Sequence, residues 1–251
     1  MSHASDILGD ISVPTNAAQA EEILKKLATT SRRSFLGRGL AAAAVPAGVV
    51  AASSLADAAS RPSRPGRKPG DSLPSYYTGS TARNFQQIQL DESTHVNTVA
   101  YAIQTLGGTP RPVPTFTGLK ASSPANFVAM SIAFENTGVH AYFGAAPYIF
   151  NPNVVAVALS IALVEAYHSG FLNTLGNQPL VPTGSFATPY TIPQVLAAAG
   201  PFITSLNDNG QFPLTFSTTP SPANDIAILN FALALELLEA NFYYINVPTL
   251  F

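Results

Sequence analysis

The stretches that decide the fold are DESTH at residues 91–95 and VEAYH at residues 164–168. Each contains a glutamate followed three residues later by a histidine: Glu92 with His95, and Glu165 with His168. Residues three apart share one face of an α-helix, so each carboxylate and imidazole can converge on one ion. One such pair arises often by chance, whereas a repeated pair predicts two helices facing a common centre.

Charge is sparse around these pairs. Of the twelve Lys and Arg residues only three lie beyond Lys68, namely Arg83, Arg111 and Lys120. The glutamates beyond residue 70 are Glu92, Glu135, Glu165, Glu236 and Glu239. A buried carboxylate without a partner takes up a proton or destabilises the core. Because the predicted helices offer no Lys or Arg, with Arg83 only bordering the first, we expect bound cations to balance these carboxylates.

Composition excludes several classes of function. The net charge of −2 gives no basic surface for nucleic acid. The chain has no cysteine, which excludes thiolate zinc sites, iron–sulfur clusters and cysteine nucleophiles. What remains is carboxylate and imidazole chemistry.

Four segments have helical length and lack proline beyond the first turn. They run over about residues 84–106, 124–146, 152–175 and 223–246. Typical capping and stop residues flank them: Ser122, Ser123, Asn151 and Ser221 before, and Gly107, Pro147, Gly176 and Pro248 after. We therefore predict an all-α four-helix bundle.

Two long connections join these helices. The first, over residues 107–123, is long enough to run the length of a bundle. A second irregular connection of about fifty residues precedes the last helix and holds one short helix candidate at residues 192–206, interrupted near Gly200. It shows no strand alternation. Long crossovers of this kind occur in some four-helix bundles.

The N-terminal region predicts export. Arg32 and Arg33 precede an apolar run over residues 40–52, and the small residues 56–58 offer a cleavage point. This order resembles a twin-arginine signal and predicts a location in the periplasm or outside the cell. The apolar run is too short for a confident membrane span, so we expect no stable span in the mature chain. A chance arginine pair and an uncleaved anchor stay open. The predicted organisation is a signal region at 1–58, a flexible linker at 59–83 and the bundle at 84–251.

The remaining two helices each offer a glutamate, which completes a ligand set. Two helices with Glu-x-x-His and two with a single Glu match the ligands of ferritin-like di-iron and di-manganese proteins. The predicted metal ligands are Glu92, His95, Glu135, Glu165, His168 and Glu236. Four carboxylates balance two divalent cations, and carboxylate with imidazole suits iron, with manganese as the alternative. Glu92 or Glu165 is the expected bridge.

Four blocks of sequence resemble an exported bacterial ferritin-like domain family that also includes plant desiccation-related proteins. They are DESTHV (91–96), FENTGVHAY (134–142), IALVEAYH (161–168) and ILNFALALELLEANFY (228–243). The fourth is similar to the ligand-bearing first helix of bacterioferritins, where Glu236 is the matching ligand. That helix stands last here. The resemblance therefore implies either a circularly permuted bundle or a last helix swapped into a neighbouring subunit.

Further residues are expected around this site. Glu239 lies three residues after Glu236 and competes with it for the ligand role. Tyr243, seven residues after Glu236, is similar to the tyrosine near such sites, and Tyr142 stands seven residues after Glu135. Residues seven apart lie two turns along the same face. Tyr243 and Tyr142 are the candidate catalytic residues.

Two other side chains lie close to the ligands in sequence. Asp91 precedes Glu92 and is either an outer partner of a ligand histidine or a solvated helix residue. His140 follows Glu135 by five residues, about 140° around a helix, and is expected to be a packed or surface histidine.

The resemblance implies a di-metal protein acting outside the cytoplasm in oxidative or desiccation stress. Iron, oxygen and peroxide are the implied reactants, and the enzyme class stays open between a di-iron oxidase or ferroxidase and a manganese catalase-like activity. The alternative is a non-enzymatic stress-protective or structural protein. The helices are apolar nearly all round, which predicts that the long connection or other subunits of a homo-oligomer cover them.

Overall fold

The structure is a computed structural model, and it describes residues 80–251. The predicted signal region, with Arg32 and Arg33, and all but the end of the predicted linker lie outside the described residues.

Within that range five α-helices and one small sheet are formed. The helices are α1 Ser80–Thr105, α2 Pro124–Ala145, α3 Pro152–Leu175, α4 Ile192–Ala199 and α5 Pro222–Leu250. The antiparallel strands are β1 Thr115–Phe116 and β2 Ile203–Ser205. Among the four long helices, α1 packs mainly on α5 and α2 mainly on α3. The predicted all-α four-helix bundle is confirmed.

The helix starts are fixed by side-chain caps. The Ser123 hydroxyl accepts a hydrogen bond from the Asn126 backbone N–H, 3.2 Å away. Ser221 does the same for Asn224 at 3.1 Å. In both helices a proline follows the cap, where its missing N–H costs nothing. These caps were recognisable in the sequence, and the predicted starts lie within one residue of the observed ones.

Two helix ends differ from the prediction. Helix α1 begins at Ser80 and therefore includes the exposed Arg83, which the sequence placed outside the helix. Helix α5 continues through Pro248, where the sequence predicted its end. Proline removes only one backbone hydrogen bond there, so burial of Val247 outweighs it. The last turn also places Phe251 against Phe127, with ring centroids 5.3 Å apart.

In the connection before α5, the helix candidate at 192–206 is interrupted near Gly200 as predicted, but it does not resume as an α-helix after the interruption. Helix α4 ends at Ala199, a short 3-10 helix spans Gly200–Phe202, and β2 follows. Strand β2 pairs with β1. The sequence showed no strand alternation there because strands of two and three residues are too short to display it.

Arg111 fastens this connection to the bundle. Its buried guanidinium donates to the backbone carbonyls of Asn230 at 3.1 Å and Phe212 at 3.0 Å. It also pairs with Asp208 at 3.3 Å. Because a buried guanidinium must satisfy its donors, these contacts hold the irregular segment against α5.

Helices α3 and α5 are long and apolar enough to cross a membrane by length and composition. The core helix of a bundle passes the same test. Both helices carry buried ionisable residues, among them Glu165 and Glu236, which are costly in hydrocarbon. We therefore interpret both as core helices.

Two apolar clusters divide the core. One includes Phe85, Phe127 and Leu172, and the other includes Val99 and Ile161. On each long helix the predicted ligands lie between residues of the first cluster and residues of the second. The packing thus places the acidic side chains in the middle of the bundle.

Candidate metal centre

The six predicted ligands converge on one point as two overlapping groups. The first is Glu92, Glu135, Glu165 and His168, and the second is Glu92, His95, Glu165 and Glu236. Within each group the ligand atoms all lie within 4.8 Å of one another, and every residue is buried. We call these the His168 position and the His95 position. Glu92 and Glu165 belong to both, so both can bridge, whereas the sequence predicted one or the other.

Both histidines point their Nδ1 atoms into the centre. His168 Nδ1 lies 3.1 Å from Glu92 Oε1 and 3.2 Å from Glu135 Oε2. His95 Nδ1 lies 3.0 Å from Glu165 Oε1 and 3.5 Å from Glu236 Oε2. His168 thus contacts one shared glutamate and one glutamate of its own position, whereas His95 contacts both shared glutamates, with Glu92 Oε2 at 3.4 Å, and Glu236 of its own position.

Several of these buried atoms have no hydrogen-bond partner within residues 80–251. They are both carboxylate oxygens of Glu92 and of Glu165, Oε2 of Glu236 and Nδ1 of His95. The 3.0 Å approach of His95 to Glu165 is an ion-pair distance without hydrogen-bond geometry. Unpaired buried polar atoms are costly. Carboxylate oxygens and imidazole nitrogens are the donors that iron and manganese take, so the residues fit a pair of such ions.

Neighbouring carboxylates favour the protonated form of both histidines. Burial lowers the pKa of His95, but the facing charge of Glu92 outweighs this and raises the pKa well above its ordinary value. Burial also lowers the pKa of His168, but the charge of Glu135 outweighs this effect, so the pKa of His168 is raised as well. Burial raises the pKa of Glu92, yet the charge of His95 overcomes it and lowers the pKa to about 2.

Burial raises the pKa values of two other glutamates of the centre, Glu165 and Glu236, and negative charge on neighbouring glutamates adds to the shift. Burial and the charge of Glu92 raise the pKa of Glu165 well above its ordinary value. Burial raises the pKa of Glu236 too, partly offset by His95. Without cations these groups hold protons, because two imidazolium charges do not balance so many carboxylates.

The two candidate tyrosines cross between helices. Tyr142 on α2 donates its hydroxyl hydrogen to Oε1 of Glu236 on α5. Tyr243 on α5 donates to Oε1 of Glu135 on α2, 2.5 Å away. Spacing placed each tyrosine near the glutamate of its own helix, and the bundle instead pairs it with the opposite one. Burial, followed by the nearby carboxylates, raises the pKa of both tyrosines well above the ordinary value, so both remain donors.

Asp91 contacts a ligand from outside. Its Oδ2 lies 3.2 Å from Nε2 of His168, and its Oδ1 accepts a hydrogen bond from Gln87 at 2.7 Å. The outer-partner interpretation of Asp91 is therefore favoured over the solvated one. His140 lies in neither group and stacks on Tyr190 with centroids 4.6 Å apart, as expected of a packed histidine.

Glu239 lies beside the centre and belongs to neither group. Burial, followed by the charge of Glu165, raises its pKa well above the ordinary value. Gly138 makes the space: a Cβ there would lie 3.1 Å from Glu165 Oε2 and 3.6 Å from Glu239 Oε1. Gly138 was not predicted from the sequence. A glycine in mid-helix, three residues after Glu135, was the available signal because glycine is unfavourable there.

Comparison with known proteins gives a match at the level of the family. The profile of the ferritin-like domain family matches residues 41–178, more than half of the chain. No curated protein and no solved structure matched. The matched range contains five of the six grouped residues, and Glu236 on α5 lies beyond it.

Proposed function

The chain belongs to the ferritin-like domain family, and on that premise we propose that it is a metalloprotein that holds two metal ions, iron in the first place and manganese as the alternative. The ligands are Glu92, His95, Glu135, Glu165, His168 and Glu236. Two adjacent ions of this kind supply redox chemistry towards ferrous iron, oxygen or peroxide.

The observation that carries this proposal is the cluster of buried oxygen and nitrogen atoms that have no hydrogen-bond partner within the described residues. Buried oxygens of Glu92, Glu165 and Glu236 meet the Nδ1 of His95 without a hydrogen bond among them. A fold that only needed stability gains nothing from such a cluster, since apolar side chains of similar volume would cost less. Cations bound at this point would both remove the repulsion between the carboxylates and give the unpaired oxygen and nitrogen atoms a partner.

The chain's own residues prepare the site. Glu92 and Glu165 supply the shared carboxylates, which hold the two positions next to each other. Tyr142 and Tyr243 fix the orientation of Glu236 and Glu135 and keep a proton on each phenol oxygen, within reach of the centre. We propose these tyrosines as the catalytic residues. The apolar clusters on both sides keep bulk water out.

Metal content tests this proposal. The full chain should contain two ions, measured by elemental analysis after loading with iron or manganese and desalting. Glu135→Gln keeps the shape of the side chain but removes its charge, and it should lose metal. His140→Gln, a buried position on the same helix outside both groups, is the matched control. Retention of two ions in Glu135→Gln would contradict the ligand assignment.

The second function is a non-enzymatic, stress-protective or structural role, in which bound metals neutralise the buried carboxylates without turnover. In that case the metals only stabilise the bundle. Loaded protein is mixed with ferrous iron and oxygen, or with peroxide, and turnover is compared with that of Glu135→Gln. Redox function predicts turnover in the native chain alone. A raised melting temperature without turnover favours the structural role.

We also propose that the protein is exported through the twin-arginine route and acts in oxidative or desiccation stress. Export of an already folded protein is consistent with loading the metal inside the cell. Replacing Arg32 and Arg33 with lysine should retain the protein in the cytoplasm, which cell fractionation measures. An unchanged distribution would contradict this route.

For the arrangement of chains, we propose a circular permutation in which α5 completes its own bundle, and a homo-oligomer. The exposed side chains of Leu159, Leu163 and Tyr167 on α3 support an oligomer, because they form an apolar stripe at helical spacing. Light scattering should give a mass above that of one chain. A monomer of full metal content would exclude both the oligomer and a swapped α5.

A further inference from the structure

The centre has an internal two-fold pattern. Helices α1 and α3 each carry a Glu-x-x-His pair, and α2 and α5 each carry a glutamate with a tyrosine seven residues later. The contacts repeat this pattern: each histidine meets the shared glutamate of the opposite helix, and each tyrosine donates to the opposite single glutamate. The two metal positions are therefore built alike.

The pattern is broken at one outer position. On α1 the residue before Glu92 is Asp91, and its carboxylate meets Nε2 of His168 at 3.2 Å. On α3 the residue before Glu165 is Val164, which has no acceptor to offer. Within residues 80–251, His95 makes its ion-pair contacts with Glu92, Glu165 and Glu236 through Nδ1, and no further carboxylate residue pairs with its imidazole.

Asp91 is itself held in place. Its side chain is 27% exposed, so it sits at the edge of the centre and not inside it. Gln87, one turn earlier on α1, donates to its other oxygen at 2.7 Å. The carboxylate thus has one oxygen fixed by Gln87 and the other directed at His168.

We propose that the two positions differ in affinity, and that the His168 position binds its ion more tightly than the His95 position. An outer carboxylate holds the proton on Nε2, which leaves the Nδ1 lone pair free for the metal and makes it a stronger donor. Only His168 has this partner within the described residues. The inference rests on the proposed metal function and adds an order of filling to it.

The expected size follows from the usual effect of such partners. Loss of a carboxylate behind a ligand histidine costs about 10–100-fold in metal affinity. The two stepwise dissociation constants of the native chain should therefore differ by about that factor, beyond the effect of repulsion between the ions. At one equivalent of metal, the protein should hold a single ion at the His168 position.

Manganese titration of the metal-free full chain tests this. Equilibrium dialysis gives the two stepwise constants, and electron paramagnetic resonance separates a single manganese ion from a coupled pair. Asp91→Val copies the Val164 side of the pattern and should weaken the tighter step by about 10–100-fold. Val164→Asp should tighten the weaker step. Ser93→Ala on the same helix is the control, and circular dichroism of the metal-free variants checks folding.

The outcomes separate the inference from the proposed function. If the native chain binds no manganese or iron, the metal function and the order of filling fail together. If two ions bind but Asp91→Val leaves both constants unchanged, only the order of filling is overturned. A Val164→Asp variant without tighter binding also contradicts it, because the two-fold pattern then fails to predict affinity.

Discussion

Replacing Tyr243 with phenylalanine tests the centre at its most constrained contact. The change removes the hydroxyl that donates to Glu135 Oε1 at 2.5 Å and leaves the ring in place. Tyr243 and Glu135 are both fully buried, so water cannot replace the lost donor. Leaving a buried acceptor without its donor costs about 1–3 kcal/mol. We expect the free energy of unfolding of the metal-free protein to fall by about that amount.

The assay is urea unfolding followed by circular dichroism, with Tyr244→Phe as the matched control. Tyr244 is the next residue on α5, is 44% exposed, and should change stability by less than about 0.5 kcal/mol. If Tyr243→Phe is no more destabilising than Tyr244→Phe, the crossed contact between α5 and α2 does not exist as described. Repeating both measurements with metal bound shows how far the ions take over the role of the lost donor.

Three other measurements follow from the geometry. The metal-free protein should melt at lower temperature as the pH rises from about 5 to 8. The pKa values of Glu165 and Glu236 are raised in the folded state, which therefore keeps protons that the unfolded chain releases. Each proton kept in this way lowers the free energy of unfolding by about 1.4 kcal/mol per pH unit. Metal-loaded protein should show the opposite trend, since ligation needs the deprotonated groups, and a parallel fall in both would contradict the site. Gly138→Ala places a Cβ 3.1 Å from Glu165 Oε2 and should weaken metal binding in dialysis, whereas alanine at an exposed helical position stabilises. Asp225→Asn should lower the melting temperature, because the buried carboxylate accepts a hydrogen bond from the Phe150 backbone N–H at 2.7 Å. An amide offers one acceptor oxygen instead of two. A melting temperature equal to that of the native protein would refute the stabilising role of Asp225.

The sequence predicted those features that local chemistry determines. Helix α3 occupies the predicted range, because Asn151 caps it, Pro152 fits its first turn and Gly176 follows its end. The grouping of the six predicted ligands was also predictable, since two helices with Glu-x-x-His and two with a single glutamate match the pattern of ferritin-like metal proteins. Local spacing was enough in these cases.

Features that depend on distant contacts could not be predicted. Spacing along one helix cannot tell which glutamate a tyrosine meets, so the crossing of Tyr142 and Tyr243 was missed. The continuation of α5 through Pro248 depends on packing of the final turn against other helices. The role of Gly138 appears only when α3 and α5 pack against α2.

The contacts of α5 have a consequence for the rate of folding. Tyr243 meets Glu135 across 108 residues, Arg111 meets Asn230 across 119, and the Asn246 side chain meets the backbone of Leu119 across 127. Helical proteins usually fold within milliseconds because their contacts are local, and long-range contacts slow the search by their loop-closure entropy. This chain should therefore fold more slowly than other helical bundles of its size. The contacts between α5 and the rest of the acidic centre should form late in folding.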